Sequence, residues 1–483
     1  MAKWNINILD FNGGLAPGAF RETYPSYGNK NMAGAMQNCD LTNPNSITQG
    51  AGLATLTDGT QATAVTTLIK GILKRATSSN VSFGVGGNKL YKFSATAVSV
   101  ASPFNVSGGG YVIDKATVTG ELGEDVAEYN GVLYFSYNHS GSAGDIGTYD
   151  LNTTFDVDWG STVPTGAAAL TSAPHQLCAA GNDTLYIANG RYVAEWNGTT
   201  FVAQSLDLPA SSIISSIAWS GNRLWIAANK PNLTGANNNT SSIYSWDGNA
   251  TSWDDEIIVG GLVSALYVKN GNIFVWYSDI SSTGGYKLGY INGTSITDLA
   301  NFTGALPDYY QVSEYQDYLI WNSNGLIFAW GSGGKDLTTK LFQIADGGFS
   351  TVGGISCPFG TPIIASNETT SYKLAKFSGY DTACNWKSLL FDITNDGTMP
   401  MIEGIGISIE PMAVSASCAV TLKDNKGTSL FTDTISYTLL NTDTYLYRPM
   451  KVGTKNFRVE LDWTNGNATN PVKIKNIKLK GTS

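Results

Sequence analysis

Apolar and polar positions alternate along most of this chain in short runs of five to seven residues, and tight-turn residues punctuate the runs. Period-two alternation broken by Asn-Gly, Gly-Asn and Asp-Gly predicts antiparallel strands joined by two-residue hairpin turns. Six copies share one local pattern, a turn followed by Leu or Ile and then an aromatic or aliphatic residue. They are Gly87-Asn88-Lys89-Leu90-Tyr91, Asn130-Gly131-Val132-Leu133-Tyr134, Asn182-Asp183-Thr184-Leu185-Tyr186, Gly221-Asn222-Arg223-Leu224-Trp225, Asn270-Gly271-Asn272-Ile273-Phe274 and Gln316-Asp317-Tyr318-Leu319-Ile320. The apolar positions 90, 133, 185, 224, 273 and 319 are 43, 52, 39, 49 and 46 residues apart. A repeat of about 40–50 residues holding several strands is the period of a β-propeller blade. A single unit cannot bury both faces of its sheet, so the units must pack as a set. An open all-β solenoid is the rival arrangement. A seventh unit around Thr361–Ile364 and Tyr372–Phe377 has strand character without a clean turn, so the expectation is six or seven blades.

The flanks differ in style. Residues 1–62 read as an extended arm with a first hairpin, punctuated by Gly and Pro at Gly13-Gly14-Leu15-Ala16-Pro17-Gly18. Residues 63–384 are the propeller. Residues 385–483 read as a β-sandwich, with strands expected at 404–409, 419–424, 434–440, 457–463 and 472–480. The fold class is therefore all-β: a six- or seven-bladed propeller with an N-terminal arm and a C-terminal sandwich.

Composition sharpens this picture. Charged residues make up 14% of the chain, against about 25% in an average soluble domain. The 54 glycines suit many turns. Net charge is −9, and it is uneven. From Asn385 onward the chain holds 11 Lys/Arg and 9 Asp/Glu, so the negative charge sits in the first 384 residues. Such a surface argues against tight nucleic-acid binding, which needs Lys/Arg to neutralise phosphates. No run is long enough to span a membrane, and the first residues have no apolar leader segment, so a soluble chain that is not exported by the usual signal is expected. Many Asn-x-Ser/Thr sequons, among them Asn105, Asn152, Asn197, Asn232, Asn292, Asn301 and Asn367, follow from the Asn/Ser/Thr-rich turns. Five scattered cysteines without a C-x-x-C pair read as free thiols, and Cys357 with Cys384 is the first pair to consider for a bond.

Candidate chemistry is sparse. The two histidines, His139 and His175, fall in different units and read as structural. None of the common catalytic or phosphate-binding signatures is present. Glycoside hydrolysis needs only two suitably spaced carboxylates. Glu121, Glu124, Asp125 and Glu128, or Asp254, Asp255 and Glu256, are the clusters to weigh, with solvated surface as the plainer reading. Asp392-Ile393-Thr394-Asn395-Asp396-Gly397 has oxygen ligands before a glycine but lacks EF-hand spacing. Trp196, Trp225, Trp246, Trp253, Trp276, Trp321 and Trp330 recur with the repeat, which favours packing between units over sugar stacking. No catalytic residue, cofactor or metal is assigned. The last strand carries Lys473, Lys475, Lys478 and Lys480, either as a solvated edge that resists sheet-to-sheet pairing or as a contact to an acidic partner or phosphate backbone.

Three stretches carry a resemblance: Asp10-Phe11-Asn12-Gly13-Gly14-Leu15, then Ala33 to Asn38 with Leu41, then Gly50-Ala51-Gly52-Leu53. With the closing strands Asn456-Phe457-Arg458-Val459-Glu460-Leu461 and Ile474-Lys475-Asn476-Ile477-Lys478-Leu479, they resemble tailed-bacteriophage tail proteins that bear a propeller, of the nozzle, hub or minor tail type. Many of those carry Arg-Pro-Gly near the turn where this chain has Ala54-Thr55-Leu56. The resemblance implies a structural subunit of a virion tail, assembled in the host cytoplasm. It implies a homo-oligomeric ring, often a hexamer, that continues the DNA channel and docks an adaptor and fibres. Genomic DNA would pass transiently, and an acidic wall would let it slide. Phe11, Gly13, Gly14 and Leu15 in the arm, and the four C-terminal lysines, are the expected partner contacts. A carbohydrate-binding receptor module at the tail tip is the alternative, and a propeller glycosidase a further one.

Overall fold

A computed structural model describes residues 3–8, 33–42, 46–56, 65–99, 101–105, 109–113, 122–138, 144–162, 170–171, 174–230, 240–278, 285–332, 340–346, 349–368, 371–381, 383–392, 399–412, 416–436, 444–454, 456–465 and 471–482. Among these residues the regular elements are strands, apart from one helical turn at Trp159–Thr162 and a 3-10 turn at Tyr309–Gln311.

The hairpin turns are the local cause of the repeat. Asn130 and Gly131 have φ of 52° and 76°, and Asn270 and Gly271 have 50° and 78°. Gly221 with Asn222 and Gln316 with Asp317 are also left-handed at both positions. Two consecutive left-handed residues make the type I′ turn whose twist matches paired strands, and Asn and Gly tolerate it best. Each turn aims the following apolar residue inward. Leu90, Leu133, Leu185, Leu224 and Leu319 are fully buried and Ile273 nearly so. In the seventh unit the strands Thr351–Ser356 and Ile363–Glu368 are joined by a longer turn, closed by Gly360 N–H to Cys357 O at 3.2 Å. Its two-residue turn signal is absent, yet Ile363 and Ile364 are likewise fully buried.

Seven four-stranded antiparallel sheets result. In the first six, the strands follow chain order, beginning with Gly71–Ile72, Leu122–Tyr129, Leu177–Ala179, Ile213–Ser220, Val263–Lys269 and Val312–Tyr315. The seventh runs Thr351–Ser356, Ile363–Glu368, Ser371–Tyr380 and then Ala51–Thr55, from the other end of the chain. The first strands touch in sequence around a ring. Asp125 Oδ2 accepts Leu177 N–H at 2.9 Å, Gln176 Oε1 accepts Ile217 N–H at 2.7 Å, and Ser216 Oγ accepts Leu266 N–H at 3.0 Å. Gln311 Nε2 donates to Val352 O at 2.6 Å, and the circle closes with Gly354 N–H to Ile69 O at 2.9 Å. A closed circle of this kind is a β-propeller and excludes an open solenoid.

The sandwich has two sheets. One runs Lys3–Ile8, Ile474–Thr482, Met401–Ile409, Thr444–Gly453. The other runs Ala33–Gln37, Cys384–Ser388, Asn456–Asn465, Ser417–Asp424, Ser429–Ser436, with Phe391–Asp392 also paired to Asn456–Asn465. The first residues, read from sequence as a separate arm and hairpin, therefore supply strands to both sandwich sheets and to the ring. The lysine-bearing strand is not an edge: Ile474–Thr482 is covered by Lys3–Ile8 on one side and Met401–Ile409 on the other.

Segment 46–50 joins the two bodies. Ile47 exchanges backbone hydrogen bonds with Ile474 at 3.0 and 3.1 Å. The fully buried Gln49 side chain accepts Val472 N–H at 3.0 Å and donates to Asp381 O. One hydrophobic core crosses the junction, from Ile344, Val352 and Ile355 of the ring to Trp386, Ile407, Leu461 and Trp463 of the sandwich.

Candidate functional site

Two regions gather chemistry-bearing side chains: the ring's centre and the outer face of the first sandwich sheet. At the centre, Lys70 Nζ lies 2.9 Å from Glu124 Oε1. Asp125, beside it, accepts N–H groups from Val126 at 2.8 Å and Leu177 at 2.9 Å. Burial raises the Glu124 carboxyl, opposed by the Lys70 charge. Burial also pushes Asp125 up to about 6, against the two N–H groups and the Lys74 charge, which lower it. Side chains reach across the middle between non-adjacent sheets. Lys74 Nζ sits 5.5 Å from the centre of the Tyr267 ring, and Tyr309 Oη points at Glu124 O at 3.5 Å. Tyr310 Oη donates to Asp308 Oδ2 at 2.7 Å. Each of Glu124 and Asp125 is thus held by fixed partners, with Lys70 and Lys74 beside them. The arrangement ties neighbouring sheets together, and the axis is bridged by side chains instead of open.

The Asp125 shift has a definite sign. Its folded pKa of about 6 stands above the ordinary 3.8. The unfolded chain therefore releases this proton first as pH rises. The contribution to stability is complete below about pH 4 and is lost as pH rises through 6. Asp125→Asn is expected to destabilise more at pH 4 than at pH 7, by up to about 3 kcal/mol. Urea unfolding of both proteins at the two pH values measures this, and an equal or larger cost at pH 7 contradicts it.

The other acidic cluster is solvated surface. Arg223 Nη1 meets Asp254 at 3.2 Å and Asp255 at 3.4 Å, and Lys230 meets Glu256 at 3.2 Å. His175 is buried with both ring nitrogens facing carbonyl oxygens, Ala188 O at 2.7 Å and Thr171 O at 3.1 Å, and burial lowers its pKa. All seven recurrent tryptophans pack in the cores between sheets. Glu121, His139, residues 393–397 of the Asp392–Gly397 loop, and the contacts expected at Phe11, Gly13, Gly14 and Leu15 lie outside the described residues.

The C-terminal lysines divide into two pairs. Lys473 and Lys475 flank Glu410 at 3.4 and 3.5 Å. Lys478 and Lys480 face outward on the sandwich sheet. Its register sets Lys478 beside Gly406 and Tyr447, and Lys480 beside Gly404 and Pro449. The tyrosine rings lie down across the sheet, with Tyr447 Oη over Gly404 and Tyr445 Oη over Gly406, where a Cβ would collide with them. Lys478 Nζ sits 5.7 Å from the Tyr445 ring centre and Lys480 Nζ 5.5 Å from that of Tyr447, which is cation–π range. Both tyrosines remain exposed, at 46% and 42%. The result is a flat, basic aromatic platform on a rigid sheet. Sequence reasoning found its lysines but missed Tyr445 and Tyr447. The strand Thr444–Gly453 contains Pro449 and sits at the sheet's edge, which weakened its pattern.

No protein-family model matches the chain, and no curated protein does. Among solved structures, the chain is similar to part of the mitotic checkpoint complex at 11% identity and a TM-score of 0.44, covering 69% of this chain and 92% of that one. It is similar to extracellular domains 1–2 of Drosophila Semaphorin 1a at 11% identity and TM-score 0.42, covering 68% and 88%. It is also similar to the exo-β-1,3-galactanase of Phanerochaete chrysosporium at 12% identity and TM-score 0.31, covering 89% and 100%. No activity or partner passes from these proteins to this chain.

Proposed function

We propose that the chain is a structural subunit of a bacteriophage tail, a nozzle- or hub-like protein that assembles as a ring and docks neighbouring tail proteins, such as an adaptor and fibres. The tail-protein resemblance of its first and last segments supports this reading. The observation that carries it is the platform of Tyr445, Tyr447, Lys478 and Lys480. Its rings are already immobilised against glycines, so little side-chain freedom is lost when a partner arrives. Tyrosine at such a patch supplies contact area with a polar tip. Because side chains bridge the propeller's own axis, a DNA channel in this reading lies between subunits, not through one.

The test is light scattering with electron microscopy of the purified protein and of virions. A closed ring is expected, present in particles. The quadruple change Tyr445→Ala, Tyr447→Ala, Lys478→Glu, Lys480→Glu is expected to abolish assembly while leaving thermal unfolding within a few degrees of wild type. A monodisperse monomer absent from particles overturns the proposal. The same two tyrosines favour a second reading, a carbohydrate-binding platform. Glycan-array binding lost in Tyr445→Ala, with ring formation intact, would select it.

A further inference from the structure

We propose that Cys39 and Cys384 are a redox pair that closes to a disulfide across the neck of the ring. Their sulfur atoms lie 2.6 Å apart, inside non-bonded contact. The local chain explains the approach. Gln37 and Asn385 are the last ladder partners of Ala33–Gln37 and Cys384–Ser388. The next residue, Asn38, is left-handed, with φ of 53°, and its Nδ2 donates to Ala383 O at 2.9 Å. That turn brings Cys39 back over Cys384. Pairing of Cys39–Asp40 with Thr48–Gln49 then fixes the returning segment. The expected pair, Cys357 with Cys384, is not the one brought together: Cys39 takes the place of Cys357.

The position in the topology gives the bond its consequence. The two cysteines are 345 residues apart, and the whole ring, from Ala51–Thr55 to Ser371–Tyr380, lies between them. A bond here ties the chain's entry into the propeller to its exit, next to the junction made by Gln49. A cross-link across so long a loop restricts the unfolded chain strongly. Both side chains are buried, but a cleft of about 420 Å³ has Cys384 in its wall, together with Gln37, Asn38 and Asn385. In this proposal that cleft is the side from which an oxidant approaches Cys384. Closing two thiols to a disulfide removes two electrons, so an added oxidant is required, and burial, which raises the Cys384 thiol, keeps the reactive thiolate scarce and the step slow.

With a small-molecule disulfide such as oxidised glutathione, the step balances. The Cys384 thiolate attacks one glutathione sulfur and releases glutathione thiolate. The Cys39 thiolate then attacks Cys384 Sγ in the mixed disulfide and releases the second. The protons from the two cysteines pass to the two glutathione products.

The experiment is oxidation of the folded full chain with glutathione disulfide, followed by thiol counting and peptide mapping. The count is expected to fall from five to three, with one linked peptide pair containing Cys39 and Cys384. Thermal unfolding is expected to rise by about 2–5 °C and to return on reduction with dithiothreitol. Cys39→Ser and Cys384→Ser should each abolish the link and the shift, whereas Cys178→Ser should leave both. Five free thiols after prolonged oxidation of the folded wild-type chain, or a link mapped to any other pair, overturns the proposal. The mapping uses the wild-type chain and so does not depend on the variants folding.

Discussion

A chain that begins at residue 57 is expected not to reach the folded state. The loss is disproportionate to its length, because residues 3–56 serve three sheets. Ala51–Thr55 completes the seventh ring sheet, with Leu53 opposite Phe377 and Ala54 opposite Lys376. Ala33–Gln37 covers Cys384–Ser388, and Lys3–Ile8 covers Ile474–Thr482. Removing them bares three strand edges, each a template for pairing between chains. Six buried apolar side chains among the described residues also go: Ile8, Met36, Cys39, Leu41, Ile47 and Leu56. At about 1.5–3 kcal/mol each, their burial alone is comparable to the 5–15 kcal/mol stability of a typical protein. Near-ultraviolet circular dichroism and limited proteolysis measure the outcome. The expected result is aggregation or loss of fixed tertiary packing. A soluble truncated chain with a cooperative melt near the wild-type temperature would show that the ring and sandwich close without these strands.

The same residues show what could be read from sequence. The ring was legible because its information is local. A left-handed turn pair such as Asn270-Gly271 and the buried Ile273 behind it lie within four positions. The seventh unit was blurred because its turn, through Pro358 and Gly360, does not use the two-residue signal. Long-range pairings were not legible. Nothing near Lys3–Ile8 says that it will lie beside Ile474–Thr482, so the lysine strand read as an edge although it is flanked on both sides. The arm failed as a separate unit for the same reason: its strands find partners more than 300 positions away. At the platform, the lysines were visible as a run. The tyrosines acquire meaning only when register places them over Gly404 and Gly406. The cysteines likewise became a pair only through the turn at Asn38.

Trp463→Ala is expected to weaken the propeller as well as the sandwich that contains it. Trp463 is fully buried in the strand Asn456–Asn465, opposite Cys384. Its indole N–H has no hydrogen-bond partner, so truncation removes packing and leaves a cavity without orphaning a polar group. Such a change costs about 3–5 kcal/mol. What distinguishes this site is where the lost contacts lead. The core around Trp463 is continuous with Trp386 and Ile407, and onward to Phe342, Ile344, Val352 and Phe377 of the last two ring sheets. The Gln49 side chain and the Ile47–Ile474 pairing cross the same boundary. A shared core makes the two bodies one cooperative unit, so calorimetry should show a single transition lowered by about 3–5 °C. Leu206→Ala, in the separate core between the third and fourth ring sheets, should lower that same transition and not create a second one. If Trp463→Ala instead splits the trace, with a sandwich transition falling away from an unmoved ring transition, the junction does not couple the two bodies. The ring would then owe its closure to Ala51–Thr55 alone.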